Sequence, residues 1–289
     1  KGKVALDASL SSDARLKGTT PTTQHRTSTD STGALASELL QNGTGSLEKN
    51  GYRGQAGIDW TINNRNSLTA DISLNNFGDK SDGFTNQETI GYAPVSVDST
   101  TRSSGNTFRY QAIDWNISYL KKFKKEGQEF SLVFQNSLGK SRTSFNQTVA
   151  ADGSFVASSG TNGTNRLTDN ESYLSADYAQ PLSKNLILNV GGKGSFSRIN
   201  SYSEDSMLDP ASQSYQFSQN NDFNYSRDVY AEYVSGTFPI TDHYSLKLGV
   251  RDEYTTNRIP SDTGNLVPSY NSFIPSVIIS RKIGKNQAL

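Results

Sequence analysis

In the stretch SLKLGVRDEY, Leu246, Leu248 and Val250 alternate with Lys247, Gly249, Arg251 and Glu253, and the same two-residue period returns along most of the chain. A period of two places successive side chains on opposite faces of a strand, so each such stretch has one dry face and one wet face. Val4, Leu6, Ala8 and Leu10 mark the first strand; Tyr52, Ala56, Ile58, Trp60 and Ile62 the second; Leu68, Ala70, Ile72 and Leu74 the third. Ile113, Trp115, Ile117 and Tyr119 follow, then Phe130, Leu132 and Phe134, then Leu174, Ala176 and Tyr178, then Leu186, Leu188 and Val190. Val229, Ala231 and Tyr233 predict the dry face of the strand before SLKLGVRDEY, which leaves Glu232 on its wet face. A final strand, SFIPSVIISRKI, is apolar on both parities, so its facing stays open. The pattern predicts about ten strands.

Two kinds of connection take turns between them. NNRNS (63–67), KKEGQ (124–128), PLSKN (181–185) and ITDHY (240–244) are short and carry hairpin-turn chemistry. The stretches 17–50, 78–105, 144–166, 200–222 and 256–270 are rich in Ser, Thr, Asn, Asp and Gly and read as long loops. A β-sandwich spaces its strands at roughly 8 to 12 residues with similar turns at both ends. Short turns at one end and long loops at the other are the form of an outer-membrane barrel. The predicted fold is therefore all-β, an antiparallel up-and-down transmembrane β-barrel, and the dry face meets outer-membrane lipid. Crossing the hydrocarbon takes about 9–11 tilted residues, and several segments run longer, so their excess should project above the membrane.

The turn near Asp242 sets a register. A two-residue connection of Thr241 and Asp242 places Glu232 opposite Arg251, whereas Asp242 and His243 would place it opposite Glu253. Opposite charges across a ladder attract and like charges repel, which favours the first arrangement.

Composition agrees with a fold that has no large central core. The 289 residues carry no formal net charge and only 33% are hydrophobic, and the mean hydropathy is -0.63. Disorder is disfavoured by 14 Tyr and 13 Phe. Zero net charge and the lack of a basic cluster with interleaved aromatics exclude a nucleic-acid partner. The absence of Cys excludes disulfides and thiolate metal sites. No apolar run is long enough for a membrane-spanning helix, which leaves strands as the means of crossing. The chain opens on Lys1 with no signal segment and has its single Met at 207, so it reads as part of a longer reading frame.

Aromatics and wet-face charges are the candidate functional residues. Trp60, Tyr119, Phe130, Tyr178, Phe238 and Tyr244 stand within a few residues of short turns and are expected at one membrane interface. Tyr52, Phe77, Phe108, Phe145, Tyr173, Phe196, Tyr225 and Tyr254 stand near the bases of the long stretches and are expected at the other. Asp59, Asp71, Asp177, Lys193, Glu232, Lys247, Arg251 and Glu253 occupy the polar parity and are expected to face a lumen. Catalysis has little material: His25 and His243 are the only histidines, and nothing selects a carboxylate pair. The segment DKSDG (79–83) lacks the ordered spacing of a calcium loop. No catalytic residue, metal site or cofactor is expected, and the chain is not expected to be an enzyme.

A family resemblance enters at residues 223–289. VYAEYVSGTFPITDHYSLKLGVRDEYT followed by YNSFIPSVIISRKIGKNQAL resembles the outer-membrane barrel domain of Bacteroidetes proteins related to TonB-dependent receptors. Tyr230, Ala231 and Tyr233 fit its first element, Gly249, Val250, Arg251, Glu253 and Tyr254 its second, and Pro275 and Ser276 its third, with Ile274 where Phe is usual. The resemblance implies a large barrel of about 22 strands, closed by a plug domain and driven by a TonB-type energy-coupling partner, that imports a bulky ligand. Residues 1–289 then read as one barrel segment without a plug domain, part of a receptor-like transporter. An adhesin or scaffold whose outer loops bind a partner without transport is the alternative.

Overall fold

Alternation of this kind produces strands, and in the computed structural model it produces almost nothing else. Residues 2–183, 185–241, 243–261, 264–265, 267–284 and 287–288 are described. Strands β1 (Lys3–Thr29), β2 (Leu35–Asn63), β3 (Asn66–Tyr92), β4 (Val95–Lys122) and β5 (Glu129–Ala151) lead into β6 (Ala157–Ser183), β7 (Leu186–Asp209), β8 (Ser214–Pro239) and β9 (Tyr244–Arg258). A short pair, β10 (Pro260–Ser261) and β11 (Gly264–Asn265), precedes β12 (Tyr270–Gly284), onto which β13 (Gln287–Ala288) folds. The ten long strands, β1 to β9 and β12, pair antiparallel with their chain neighbours in one up-and-down sheet. Among the described residues β1 pairs only with β2, so the sheet has an edge at β1 and another beyond β12.

The register assigns every strand residue to a face. Trp60 pairs with Leu68, Leu68 with Tyr119 and Tyr119 with Leu132. One face of the sheet is thereby apolar across neighbouring strands, and we call it the outer face. Its side chains are the exposed ones: Leu6 is 76% exposed, Val277 67% and Leu248 43%. On the opposite, inner face stand the buried Ser73, Ser175, Ser235 and Thr255, with the small apolar Ala112 and Ala231. A water-soluble sheet buries its apolar face, and this one buries its polar face. Lipid is the solvent that suits such an arrangement.

Three expectations are corrected. First, β8 is turned over. The β8–β9 ladder closes where the Ile240 amide donates to the Tyr244 carbonyl, which leaves three residues in the connection; Asp242 itself lies outside the described residues. An odd connection in place of an even one shifts the register by one residue, and a shift of one exchanges the faces of a strand. Tyr233 therefore stands opposite Arg251, Ala231 opposite Glu253, and Glu232 opposite Asp252 on the outer face. Glu232 does not face the lumen, and neither proposed register, with Arg251 or with Glu253, occurs.

Second, four of the five polar stretches are strands. The β1–β2, β3–β4, β5–β6 and β7–β8 ladders run on to tight turns at 30–34, 93–94, 152–156 and 210–213. Strands β1 to β8 are 23 to 29 residues long as a result. Their Ser, Thr and Asn side chains suit a sheet with water on both sides, and the backbone ladder continues without an apolar stripe. The stretch 256–270 differs: it holds the end of β9 and the β10–β11 pair, with 262, 263 and 266 outside the described residues.

Third, the aromatics near the bases of those stretches are divided between the faces. Tyr52, Phe196 and Tyr254 are on the outer face, whereas Phe77, Phe108, Phe145, Tyr173 and Tyr225 are on the inner face. Phe77 packs against Phe108 and Tyr110, with ring centroids 5.8 and 5.0 Å away. The last strand, undecided from sequence, sends Phe273, Pro275, Val277 and Ile279 outward, since Val277 pairs with Leu248 and Ile279 with Leu246.

Candidate functional site

The inner face is built by the wet parity of each strand, and seven of the eight expected charges lie on it: Asp59, Asp71, Asp177, Lys193, Lys247, Arg251 and Glu253. They do not converge on one point. Asp59 accepts from the Thr69 hydroxyl at 2.8 Å, and Asp71 accepts from Asn116 Nδ2 at 2.9 Å. Beside them stands Asp114, which takes bonds from Ser137 (2.6 Å), Ser73 (3.1 Å) and Asn75 (3.1 Å). Sequence reasoning missed Asp114 and Asn116, although both occupy the wet parity of the strand marked by Ile113, Trp115 and Ile117. Asp169 and Glu171 were missed in the same way beside Leu174.

Further along the sheet the pairs cross strands. Tyr233 on β8 donates its hydroxyl to Asp177 on β6 at 2.5 Å, passing over Gly191 of the intervening β7. Gly191 carries no side chain there, and a Cβ on it would stand 2.5 Å from both Asp177 Oδ1 and Tyr233 Cε1. Arg251 opposite Tyr233 binds Glu253 at 2.7 Å, and the Lys193 ammonium sits 4.5 Å from the centroid of the Tyr173 ring. Tyr233 was misassigned to the dry face for the reason given above, so this bridge had no signal in the residue pattern.

Charge is unevenly distributed across this face. Inner positions 67–91 of β3, 104–120 of β4, 129–149 of β5 and 159–179 of β6 hold Asp71, Asp79, Asp114, Glu129, Asp169, Glu171 and Asp177 and no Lys or Arg. Inner cations stand on both sides of this stretch: Lys193, Arg227, Lys247 and Arg251 on β7 to β9, with Glu253 among them, and Lys3, Arg15, Lys49 and Arg53 on β1 and β2, with Arg102 and Lys122 toward the two ends of β4. Two open grooves follow this distribution. One, of about 420 Å³, is lined by Asp71, Asp114, Asn116, Ser137, Glu171 and Tyr173. The other, of about 430 Å³, shares Glu171 and adds Lys193, Tyr225, Arg227, Arg251 and Glu253. Hydroxyls, amides and charges of both signs can take over the hydrogen bonds of a hydrated polar solute.

The remaining candidates are separated by the fold. His25 lies on β1 toward the far hairpin tip, 3.5 Å from Glu38, whereas His243 lies in the turn at the opposite end, its amide bonded to Thr241. They cannot act together. Asp79 and Asp82 of DKSDG are on opposite faces of β3, and among the described residues no three His, Cys, Asp or Glu side chains gather as metal ligands.

The six aromatics near the short turns all stand on the outer face. Phe130 is directly opposite Tyr178, and Trp60 and Tyr119 flank Leu68. Their polar tips find partners toward the turn: Tyr119 donates to Asn66 at 2.7 Å, Tyr178 to Gln180 at 2.7 Å, and the Arg281 guanidinium lies 5.6 Å from the Tyr244 ring centre. Phe238 stands beside Leu246 in the same region. Rings with an apolar body and a wet tip are the kind that settle at a membrane interface.

Among solved structures, the outer membrane protease OmpT from Escherichia coli is 14% identical, with 96% of this chain and 94% of that chain covered and a TM-score of 0.21. The ferric yersiniabactin uptake receptor FyuA from Yersinia pestis is 6% identical, with 95% of this chain and 59% of that chain covered and a TM-score of 0.32. No curated protein matches the sequence. A model of the outer membrane protein beta-barrel family matches residues 121–289, more than half of the chain, which therefore belongs to that family and resides in the outer membrane.

Proposed function

We propose that the chain is the barrel segment of a TonB-dependent-receptor-like transporter of the Bacteroidetes type. The observation that carries the reading is the inner face: two contiguous polar grooves, one whose charged lining is acidic and one that adds Lys193, Arg227 and Arg251 to Glu171 and Glu253. A surface that only needed to stay hydrated would not require that difference. In this reading a polar ligand meets the projecting ends of the strands and then the inner face, where hydroxyls and amides replace its water. Entry is controlled by a plug domain and powered by a TonB-type inner-membrane partner, both supplied from outside residues 1–289. Further strands would complete the barrel between β1 and β12. The protein binds and passes its ligand and performs no chemistry on it.

The length of β1 to β8 supports a second reading, because strands of 23 to 29 residues greatly exceed the roughly 9–11 that a membrane needs. The projecting sheet could serve as a scaffold or adhesin surface through which nothing passes. Cells carrying the complete gene, with and without the energy-coupling partner, separate the two. Depletion from the medium of some solute that requires both the gene and the partner is the outcome for a transporter. Retained surface binding with no gene-dependent depletion of any solute refutes transport and leaves the scaffold.

A further inference from the structure

On the outer face, Arg109 of β4 stands directly opposite Arg142 of β5, and Arg142 directly opposite Arg166 of β6. All three side chains are exposed, and none has an ion-pair partner among the described residues. Glu204, a carboxylate diagonal to Arg166 on this face, already accepts from the Tyr202 hydroxyl at 3.1 Å. Lys140, two positions below Arg142, adds a fourth cation. Like charges in directly opposite positions repel, so an anion that bridges the row would relieve the repulsion.

The position of the row says which anion. Below it on β4 and β5 lie Ile113 and Leu138, the last apolar residues of the lipid-facing band, four residues or about 13 Å along the strand. Above it on the same face is a groove of about 550 Å³, lined on β4 to β6 by Gly105, Thr107, Ser144, Asn146, Asn162 and Thr164 and flanked by Lys80 and Asp82 of β3 and Glu204 of β7. Its hydroxyls and amides are suited to the hydroxyl groups of a sugar. Along β4 to β6 the outer face thus runs from apolar to cationic to hydroxyl- and amide-bearing, the order in which a membrane glycolipid presents acyl chains, phosphate and sugar. Arginine favours phosphate because its planar fork bonds two oxygens at once.

We propose that the outer face of β4 to β6 seats a phosphorylated glycolipid of the membrane leaflet: acyl chains on the apolar band, phosphates on Arg109, Arg142 and Arg166, and sugar in the groove above. The proposal rests on the outer-membrane location and is independent of whether the barrel transports anything.

The test uses the complete protein in phosphatidylcholine nanodiscs, titrated with a bisphosphorylated diglucosamine lipid, with the same lipid after removal of both phosphates, with phosphatidylglycerol and with inorganic phosphate. Saturable binding of the bisphosphorylated lipid is expected, weakened at least about tenfold by loss of its phosphates or by the combined variant Arg109→Gln, Arg142→Gln, Arg166→Gln. Phosphatidylglycerol and inorganic phosphate should bind more weakly than the glycolipid. In phosphate-free detergent the triple variant should resist urea at least as well as the parent, since three opposed cations have been removed. Equal glycolipid binding by parent and variant overturns the proposal, as does phosphatidylglycerol or inorganic phosphate binding as tightly as the glycolipid. A triple variant less stable than the parent overturns it too, because the arginines would then hold the sheet and not a lipid.

Discussion

Gly191 is needed for what it lacks, since only a residue without a side chain lets Tyr233 reach across β7 to Asp177. Gly191→Val is expected to push the ring aside and cost roughly 1 to 3 kcal/mol, the usual range for overpacking a filled site. Tyr233→Phe, which removes only the hydroxyl, should cost about 1 kcal/mol. Urea unfolding in lipid vesicles measures both, and the bridge is unimportant if Gly191→Val unfolds with the parent. At the far hairpin tips two carboxylates hold the turns. The Thr32 hydroxyl and the Thr32 and Ala34 amides keep the Asp30 carboxyl below its ordinary value of 3.8, and the Ser212 hydroxyl and Ala211 amide do the same for Asp209. A lowered folded-state value means that the stabilising contribution is complete above the ordinary value and is lost as pH falls through the lowered one. Amide protection at Thr32, Ala34, Ala211 and Ser212 should therefore drop on acidification below about pH 4. Asp30→Asn should abolish the response at the first tip and leave it at the second.

The β8–β9 hairpin carries the sharpest consequence of a single residue in a connection. With three residues between Ile240 and Tyr244, Glu232 and Asp252 become direct neighbours on the outer face, where Asn271 donates to Asp252 at 3.0 Å. Cys residues replacing Glu232 and Asp252 should form a disulfide readily, because directly opposite Cβ atoms are about 4.5 to 5.5 Å apart and a small approach closes the bond. Cys pairs at 232 and 251 or 232 and 253 should not, and a disulfide in either would restore one of the even-loop registers. Alternation alone oriented the central parts of β1 to β7 and β9 correctly, from Val4 and Leu6 to Leu246 and Leu248, because most of the large apolar side chains of each stand on one parity, with single exceptions such as Leu120, Val133 and Ile187. It failed on β8, where Val229, Ala231 and Tyr233 are small or amphipathic and sit comfortably among Asp177, Lys193 and Arg251 on the wet side. It also failed beyond the apolar band. A strand with water on both faces has no period to display, and Ser, Thr, Asn and Gly read as loop until the partner strand is known. The inner carboxylates were legible one by one as wet-parity residues, but the two grooves were not, since Asp71, Asp114 and Glu171 meet only after three hairpins are closed.

At the scale of the molecule the sheet is inside out: it exposes Trp115, Ile117, Phe134, Leu174 and Leu248 and buries Ser73, Ser175 and Thr255. The apolar band also descends along the sheet, from Ile72 and Leu74 on β3 to Leu246 and Leu248 on β9, in ladder rows progressively nearer the short-turn end. Tilted strands need that stagger for the band to stay level in a bilayer. Leu248 lies between Gly236 and Val277 on this band, and Lys247 lies on the inner face between Thr237 and Ile278. If the band spans the hydrocarbon, Leu248→Arg should cost roughly 2 to 4 kcal/mol, because a guanidinium near the midplane must draw in water or thin the bilayer to remain solvated. Lys247→Ala removes a charge from a hydrated face and should cost much less. A packed protein core would also reject an arginine, so the cost does not by itself identify lipid. Accessibility does. A nitroxide at position 248 is expected to collide with a lipid-soluble quencher and not a water-soluble one, and a nitroxide at 247 is expected to do the reverse. Shielding of position 248 from both quenchers would mean that protein covers the outer face of β8, β9 and β12, and the membrane boundary would have to be sought on other strands.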